Sequence, residues 1–193
     1  MNSTTVDRED INKALQTLKN GGLILYPTDT IWGIGCDATN EEAVEKIFAL
    51  KGREKSKSMI ILLHNDNQLA SYADNIPEVA YELIEYATNP LTIVYSGAKN
   101  LAKNVIATDG SIGIRIAKHD FCEQLLQRFR KPIVSTSANL SGELPPKGFH
   151  DISDTIKNGV DYVVKYGQER QGNGKSSTVM RLDSSGKFEF LRK

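Results

Sequence analysis

The sequence holds only two cysteines among 193 residues, Cys36 and Cys122, and neither sits in a C-x-x-C or Cys/His spacing. Two thiols cannot staple a disulfide scaffold, and without metal spacing they do not predict a zinc site, so a reducing compartment is expected. Net charge is also missing: 24 Lys and Arg stand against 24 Asp and Glu. A chain with no global field cannot gather polyanions wholesale, which excludes an RNA-coating protein and confines any phosphate contact to a local cluster. Long apolar runs are absent too, so no membrane span is expected. The stretch Met1 to Glu9 is polar and acidic where a leader would be basic and then apolar, which points to the cytoplasm. There is no internal repeat and no low-complexity tail.

What is present is ordinary globular composition, 39% hydrophobic and 25% charged, in a length that favours one domain over residues 1–193. Ile11, Leu15 and Leu18 repeat at helical spacing up to a Gly21-Gly22 stop. Leu23 to Tyr26 forms a short apolar strand ended by Pro27. Thr39 and Glu42 have capping-box spacing and open a second helical face through Val44, Ile47 and Phe48 to Leu50, with Gly52 as terminator. Apolar runs at 59–63, 91–95, 112–116 and 132–134 then alternate with helical patterns near 67–73, 77–86 and 121–129. Past Gly142 come a Pro145-Pro146 turn, a short helix near 152–157 and brief strands near 162–164, 178–182 and 188–191. Strands alternating with helices predict an α/β domain. The Gly-, Gln- and Ser-rich stretch 166–177 reads as a loop that closes over bound ligand.

Two glycine patterns imitate nucleotide motifs. Gly33-Ile34-Gly35-Cys36-Asp37-Ala38 fits G-x-G-x-x-A, but a dinucleotide fingerprint opens directly into a helix and here the helix signal waits until Thr39, so a turn needing small residues is the expected reading. Gly172 to Ser176 ends like a P-loop, yet Glu169 occupies the place of its first glycine and a β-branched strand follows. A Walker A site is excluded.

Lys51, Arg53, Lys55 and Lys57 recur at every second residue, which lines four cations along one side of an extended chain. The row fits phosphates, or equally a solvated basic edge beside Glu54. Ser135-Thr136-Ser137-Ala138-Asn139 follows an apolar strand, fitting either a ligand crevice or a plain turn. Thr28, Asp29 and Thr30 place hydroxyls and a carboxylate at the end of another strand. Arg115 closes the 112–116 run, where it suits either a surface or a ligand carboxylate. His64, His119 and His150 have no nucleophile pattern around them and read as surface residues.

Taken together, YPTDTIWGIG at 26–35, KGR at 51–53 and STSANLSG at 135–142 resemble, in order and spacing, the three signature regions of the YrdC-like family, and the similarity runs from the first helix to Arg192. The resemblance implies a twisted, mixed open sheet with flanking helices around a concave cleft. It implies an enzyme that joins L-threonine, bicarbonate and ATP into threonylcarbamoyl-AMP for tRNA modification. Mg²⁺ would arrive with the nucleotide, a downstream tRNA threonylcarbamoyl-transfer enzyme would be the partner, and weak contact with tRNA or double-stranded RNA is the accompanying expectation. By the same resemblance Thr30, Arg115, Ser135 and Ser177 fall where the family grips threonine. Lys51, Arg53, Lys57, Ser111, Ser137, Asn139 and Arg192 fall where it contacts ATP, with Lys51 and Arg53 offsetting phosphoryl charge from solvent-exposed positions at a cleft. A sister branch similar to YciO departs at K-x-R and S-x-N, which this chain keeps. The chain departs from the family pattern at Glu54, where proline is frequent, at Lys57-Ser58-Met59 in place of N-P-L, and at Leu62 in place of a histidine.

Overall fold

The first helix, α1 (Arg8–Lys19), starts where the Asp7 side chain accepts the Glu9 N–H at 2.9 Å and buries Ile11, Ala14 and Leu18 along one stripe. This is seen in a computed structural model that describes residues 5–54, 59–169 and 175–193. Gly21, at φ 71°, reverses the chain into β1 (Ile24–Tyr26). The second helix, α2 (Glu41–Lys51), differs from expectation at its start. Thr39 donates both its amide and its hydroxyl to Asp37 Oδ1, so it is already committed, and Asn40 caps the helix by accepting the Ala43 N–H. Its end is as expected: Gly52 takes the left-handed conformation at φ 56°, a geometry that glycine adopts without the Cβ clash of other residues.

The remaining elements are β3 (Ile60–Leu63), α3 (Leu69–Tyr72), α4 (Glu78–Tyr86), β4 (Leu91–Tyr95), β5 (Ile112–Ile116), α5 (Asp120–Phe129), β6 (Ile133–Ser137), α6 (Asp154–Gly159), β7 (Tyr162–Val163), β8 (Thr178–Leu182) and β9 (Phe188–Arg192). Gly33 to Gly35 is not a turn but a strand, β2 (Gly33–Gly35), paired antiparallel with both β1 and β6. All the described strands form one mixed sheet in the order β7-β1-β2-β6-β3-β5-β4-β8-β9. No described helix is long and apolar enough to cross a membrane.

Side-chain alternation splits this sheet into two unequal faces. Ile34, Ile61, Leu63, Ile114 and Val134 point to one face and pack with Val44, Ile47 and Phe48 of α2, Leu69 of α3, Ala80 of α4 and Ile156 of α6. The other face is covered over part of its area only. There Ile24, Tyr26, Leu62 and Ile133 meet Ile11 and Leu18 of α1 and Phe121, Leu125 and Phe129 of α5. The rest of that face carries Ile60, Gly113, Arg115, Ser135 and Ser137 and has no helix above it, and this difference creates the cleft.

Gly35 shows how tightly the centre is drawn together. A Cβ added there would lie 2.7 Å from both the Tyr26 ring and the Val134 carbonyl oxygen, and 2.9 Å from Ile133. Two of the three contacts are a strand backbone and a buried ring, which have no room to give. Gly35→Ala is therefore expected to destabilise the protein by about 2–3 kcal/mol and to lower Tm by roughly 5–10 °C; an unchanged thermal melt would show that β2 can move away from β6.

Candidate active site

The uncovered half-face encloses about 240 Å³, and among the described residues Arg53, Arg115 and Arg192 line it with no carboxylate beside them. Thr30, Ser135, Ser137, Ser176 and Ser177 also line it. In a chain of zero net charge, this is the local positive cluster that anion binding needs. Burial pulls the Arg53 guanidinium below its ordinary value, and burial followed by the neighbouring Arg115 does the same to Arg192. As arginines they remain cations at neutral pH.

The four residues assigned to threonine by resemblance all line this cleft, and all are buried: Thr30, Arg115, Ser135 and Ser177. Arg115, the fourth residue of β5, is 3% exposed and so is not a surface cation. Its Nη2 lies 3.2 Å from Asp29 Oδ1, and its Nε has no hydrogen-bond partner among the described residues. The Thr30 hydroxyl is 2.9 Å from that of Thr28, which also bonds the Ile31 carbonyl. Ser177 lies just before β8, with its hydroxyl 2.8 Å from Thr92 Oγ1.

The ATP set divides. Arg53, Ser137 and Arg192 line the cleft. Arg192 arrives there through an irregularity. Met180 pairs with Phe190 but Val179 pairs with Arg192, so Leu191 is an extra residue in β9. Strict alternation would send Arg192 to the side of Phe188 and Phe190, which line a groove on the far face. The bulge turns it back into the cleft instead. There its guanidinium donates to the Ser177 carbonyl at 2.9 and 3.1 Å.

Lys51 departs from its expected place. It is the last residue of α2, not part of an extended row, and it is 2% exposed. Its Nζ donates to the backbone carbonyls of Ser137 and Asn139, while its own carbonyl accepts the Ser141 N–H. Lys51 thus fastens the end of α2 to the end of β6 rather than lining the cleft. Burial, and then the neighbouring Arg53, lower its pKa to about 8. Gly52 turns the chain between them, which is why Lys51 points inward and Arg53 reaches the cleft. Lys57 lies outside the described residues, as does part of the 166–177 stretch expected to close over ligand.

Asn139 also faces away from the lining, its amide donating to the carbonyls of Leu140 and Glu143. Ser111 is buried beside an adjoining hollow of about 280 Å³ that shares Met59 and Ile60 with the cleft. Its hydroxyl and amide both bond Asp109 Oδ1. Ser135 and Ser137 do project together, because β6 runs three residues beyond the apolar run that marks it in the sequence.

Sequence reasoning did not place Trp32, Met59 or Asp29 at the site. Trp32 is the chain's single tryptophan and lies inside the first signature region, a signal available from composition alone. It walls the cleft and packs against Phe149 with ring centroids 4.9 Å apart and planes tilted by 51°. His150 is exposed as expected; His64 and His119 are half-buried, and none of the three lines the cleft. Both cysteines are free and buried.

Fold and cleft together define an α/β protein with an arginine-lined cleft, suited to anions, on the open half of a sheet face. Residues 16–193 match the sequence pattern of the Sua5/YciO/YrdC family, described as telomere recombination, and the chain belongs to this family. It is 34% identical over 176 residues to the threonylcarbamoyl-AMP synthase of Pseudoalteromonas translucida (strain TAC 125), an alignment covering 90% of this chain and 93% of that protein. The structure of P. abyssi Sua5 complexed with L-threonine superimposes with a TM-score of 0.88 at 28% identity, covering 97% of this chain and 55% of that one. The chain therefore spans about half the length of that relative. E. coli YciO shares the fold, with a TM-score of 0.83 at 24% identity over 97% of this chain and 90% of that one.

Proposed function

We propose that this chain is a threonylcarbamoyl-AMP synthase, a nucleotidyltransferase of one domain working in the cytoplasm on L-threonine, bicarbonate and ATP. The observation that carries the reading is the convergence of Arg53, Arg115 and Arg192, from chain segments far apart in sequence, on one hydroxyl-lined cleft. The retained Lys51, Arg53, Ser137 and Asn139 favour the synthase branch over the YciO-like one.

Bicarbonate takes up a proton and loses water to give carbon dioxide, to which the threonine amine adds with loss of a proton, giving a carbamate. A carbamate oxygen then attacks the α-phosphorus of ATP, and the bond to the pyrophosphate leaving group breaks. Two anions must be held together and phosphoryl charge offset, which is work for fixed cations and donors rather than a covalent nucleophile. Arg115 receives the threonine carboxylate beside the hydroxyls of Thr30, Ser135 and Ser177. Arg53 and Arg192, with the Ser137 hydroxyl, offset the phosphates. The cleft volume of about 240 Å³ falls below the roughly 300 Å³ at the lower end of ligand pockets, so the nucleotide extends into the adjoining hollow at Ser111. Lys51 and Asn139 act through the β6 end they hold in place.

Among the described residues there is no group of three or more His, Cys, Asp or Glu able to hold a metal ion, and the cleft lining offers no carboxylate. Such a lining suits a Mg²⁺ that arrives on the triphosphate, keeps most of its waters and neutralises phosphate oxygens there. The product is expected to pass to a tRNA threonylcarbamoyl-transfer enzyme, with any tRNA contact weak.

The test is incubation with ATP, Mg²⁺ and bicarbonate, with and without L-threonine. Pyrophosphate is expected to accumulate only when threonine is present. Its absence, together with RNA binding that weakens steeply with salt, would replace the enzyme by a non-catalytic RNA-binding module.

A further inference from the structure

Asp29 and Arg115 form a dry ion pair, with side chains 6% and 4% exposed and Oδ1 to Nη2 at 3.2 Å. The two do not share a ligand space. Arg115 lines the cleft and Asp29 does not, whereas Asp29 lines a second hollow, with Lys118 and Asn89, that Arg115 does not line. The carboxylate thus stands behind the guanidinium, on the side turned away from the cleft. A buried guanidinium without compensation is costly to keep, so a partner charge must be present before any ligand arrives. The ion pair biases the planar fork by charge attraction, without a hydrogen bond between the two: Asp29 Oδ1 and Arg115 Nε are both buried and without a hydrogen-bond partner among the described residues.

We infer that Asp29 is a positioning residue which holds the Arg115 guanidinium toward the cleft, so that the subsite accepts the carboxylate of an amino acid. The inference rests on the reading of Arg115 given above and adds the group that makes it work. Arginine owes its advantage over lysine at such sites to the fixed geometry of its donors, and that advantage is lost if the fork can turn. Asp29 touches no reacting atom in this scheme; it acts through Arg115.

Trp32 supplies the readout, because the only tryptophan in the chain walls the cleft. Fluorescence titrations of wild type and Asp29→Asn are compared for L-threonine and for L-threoninamide, which keeps the side chain and amine but lacks the carboxylate charge. Wild type is expected to bind threonine the more tightly. In Asp29→Asn, threonine affinity is expected to fall by about tenfold or more while threoninamide affinity stays within about twofold. Loss of both ligands in equal measure, which general disorder of the cleft would produce, overturns the inference, and so does undiminished threonine affinity. Should Asp29→Asn not fold, the same titrations on Asp29→Glu decide, since that variant keeps the charge and shifts it by one methylene. Weaker threonine with unchanged threoninamide supports the inference there, and any other pattern overturns it. Wild-type protein that does not prefer threonine overturns the reading of Arg115, and the inference with it. Wild type that does prefer it, with a variant that behaves identically, overturns the inference alone.

Discussion

Arg53→Met is expected to lower threonine-dependent pyrophosphate formation by about 10²–10³-fold, the range seen when one preorganised donor to a developing charge is removed. The variant should still fold. Arg53 follows the left-handed Gly52 at the end of α2, is half-buried at the cleft and belongs to neither core cluster. A point substitution outside the core costs on the order of 1 kcal/mol, or roughly 2–4 °C in Tm for a chain of this length. Arg53→Lys keeps the charge but loses the fork, so partial activity is expected, between wild type and Arg53→Met. Initial rates at saturating threonine and ATP, paired with thermal melts, separate the two effects. Turnover of Arg53→Met within a few-fold of wild type would remove this guanidinium from the chemistry and leave the phosphates to Arg192.

Why Arg53 lines the cleft and Lys51 does not was hidden in the sequence, and it is a matter of backbone. Spacing of two treats 51 to 57 as extended, but α2 runs through Lys51 and Gly52 then reverses the chain at φ 56°. The two cations therefore leave the backbone in different directions. Arg192 was hidden for a related reason: alternation assigns it to the face of Phe188 and Phe190, and only the extra residue in β9 returns it to the cleft. Such an irregularity has no reliable mark in a single sequence. β2 was hidden because its strand is drawn against two neighbours closely enough to require glycine, and glycine reads locally as turn. In contrast, β4, β5 and β8 coincide with the runs that mark them, because most residues buried on a sheet face are apolar, with Thr92 and Arg115 as exceptions. The signature stretches supply Thr30, Arg53, Ser135 and Ser137 to the cleft but not Lys51 or Asn139, and Arg115, Ser177 and Arg192 reach it from outside them. These stretches did not foretell that Asp29 would stand behind Arg115, since a carboxylate beside a strand end fits solvent as well as a buried pair.

Lys51→Ala is expected to destabilise the protein by about 3–5 kcal/mol at pH 7, against the expectation that a cation in this motif could be removed with the fold intact. The change leaves a cavity where a fully buried stem had been, at about 2–3 kcal/mol, and removes the donor to the Ser137 and Asn139 carbonyls, at about 1–2 kcal/mol, which together reach this range. Activity should fall with it, because the β6 end that carries Ser137 loses its attachment to α2. The pH dependence of stability distinguishes this clamp from a lysine in solvent. The folded pKa of about 8 lies below the ordinary lysine value of 10.5, so below pH 8 the ammonium is charged in both states and the fold bears the full cost of burying it. As pH rises from 8 toward 10.5 the native protein releases this proton while the unfolded chain keeps it, and stability rises. That contribution is complete above 10.5 and is lost as pH falls through 8. Over the interval it amounts to something on the order of 3 kcal/mol, and the neutral amine still donates to the two carbonyls. Lys51→Met fills much the same volume and cannot titrate. Denaturant unfolding of both proteins at pH 7, 8.5 and 10 should therefore show the stability of wild type relative to Lys51→Met increasing with pH. A difference that stays flat would mean that Lys51 holds its charge in water, at the mouth of the cleft beside Arg53, and not between α2 and β6.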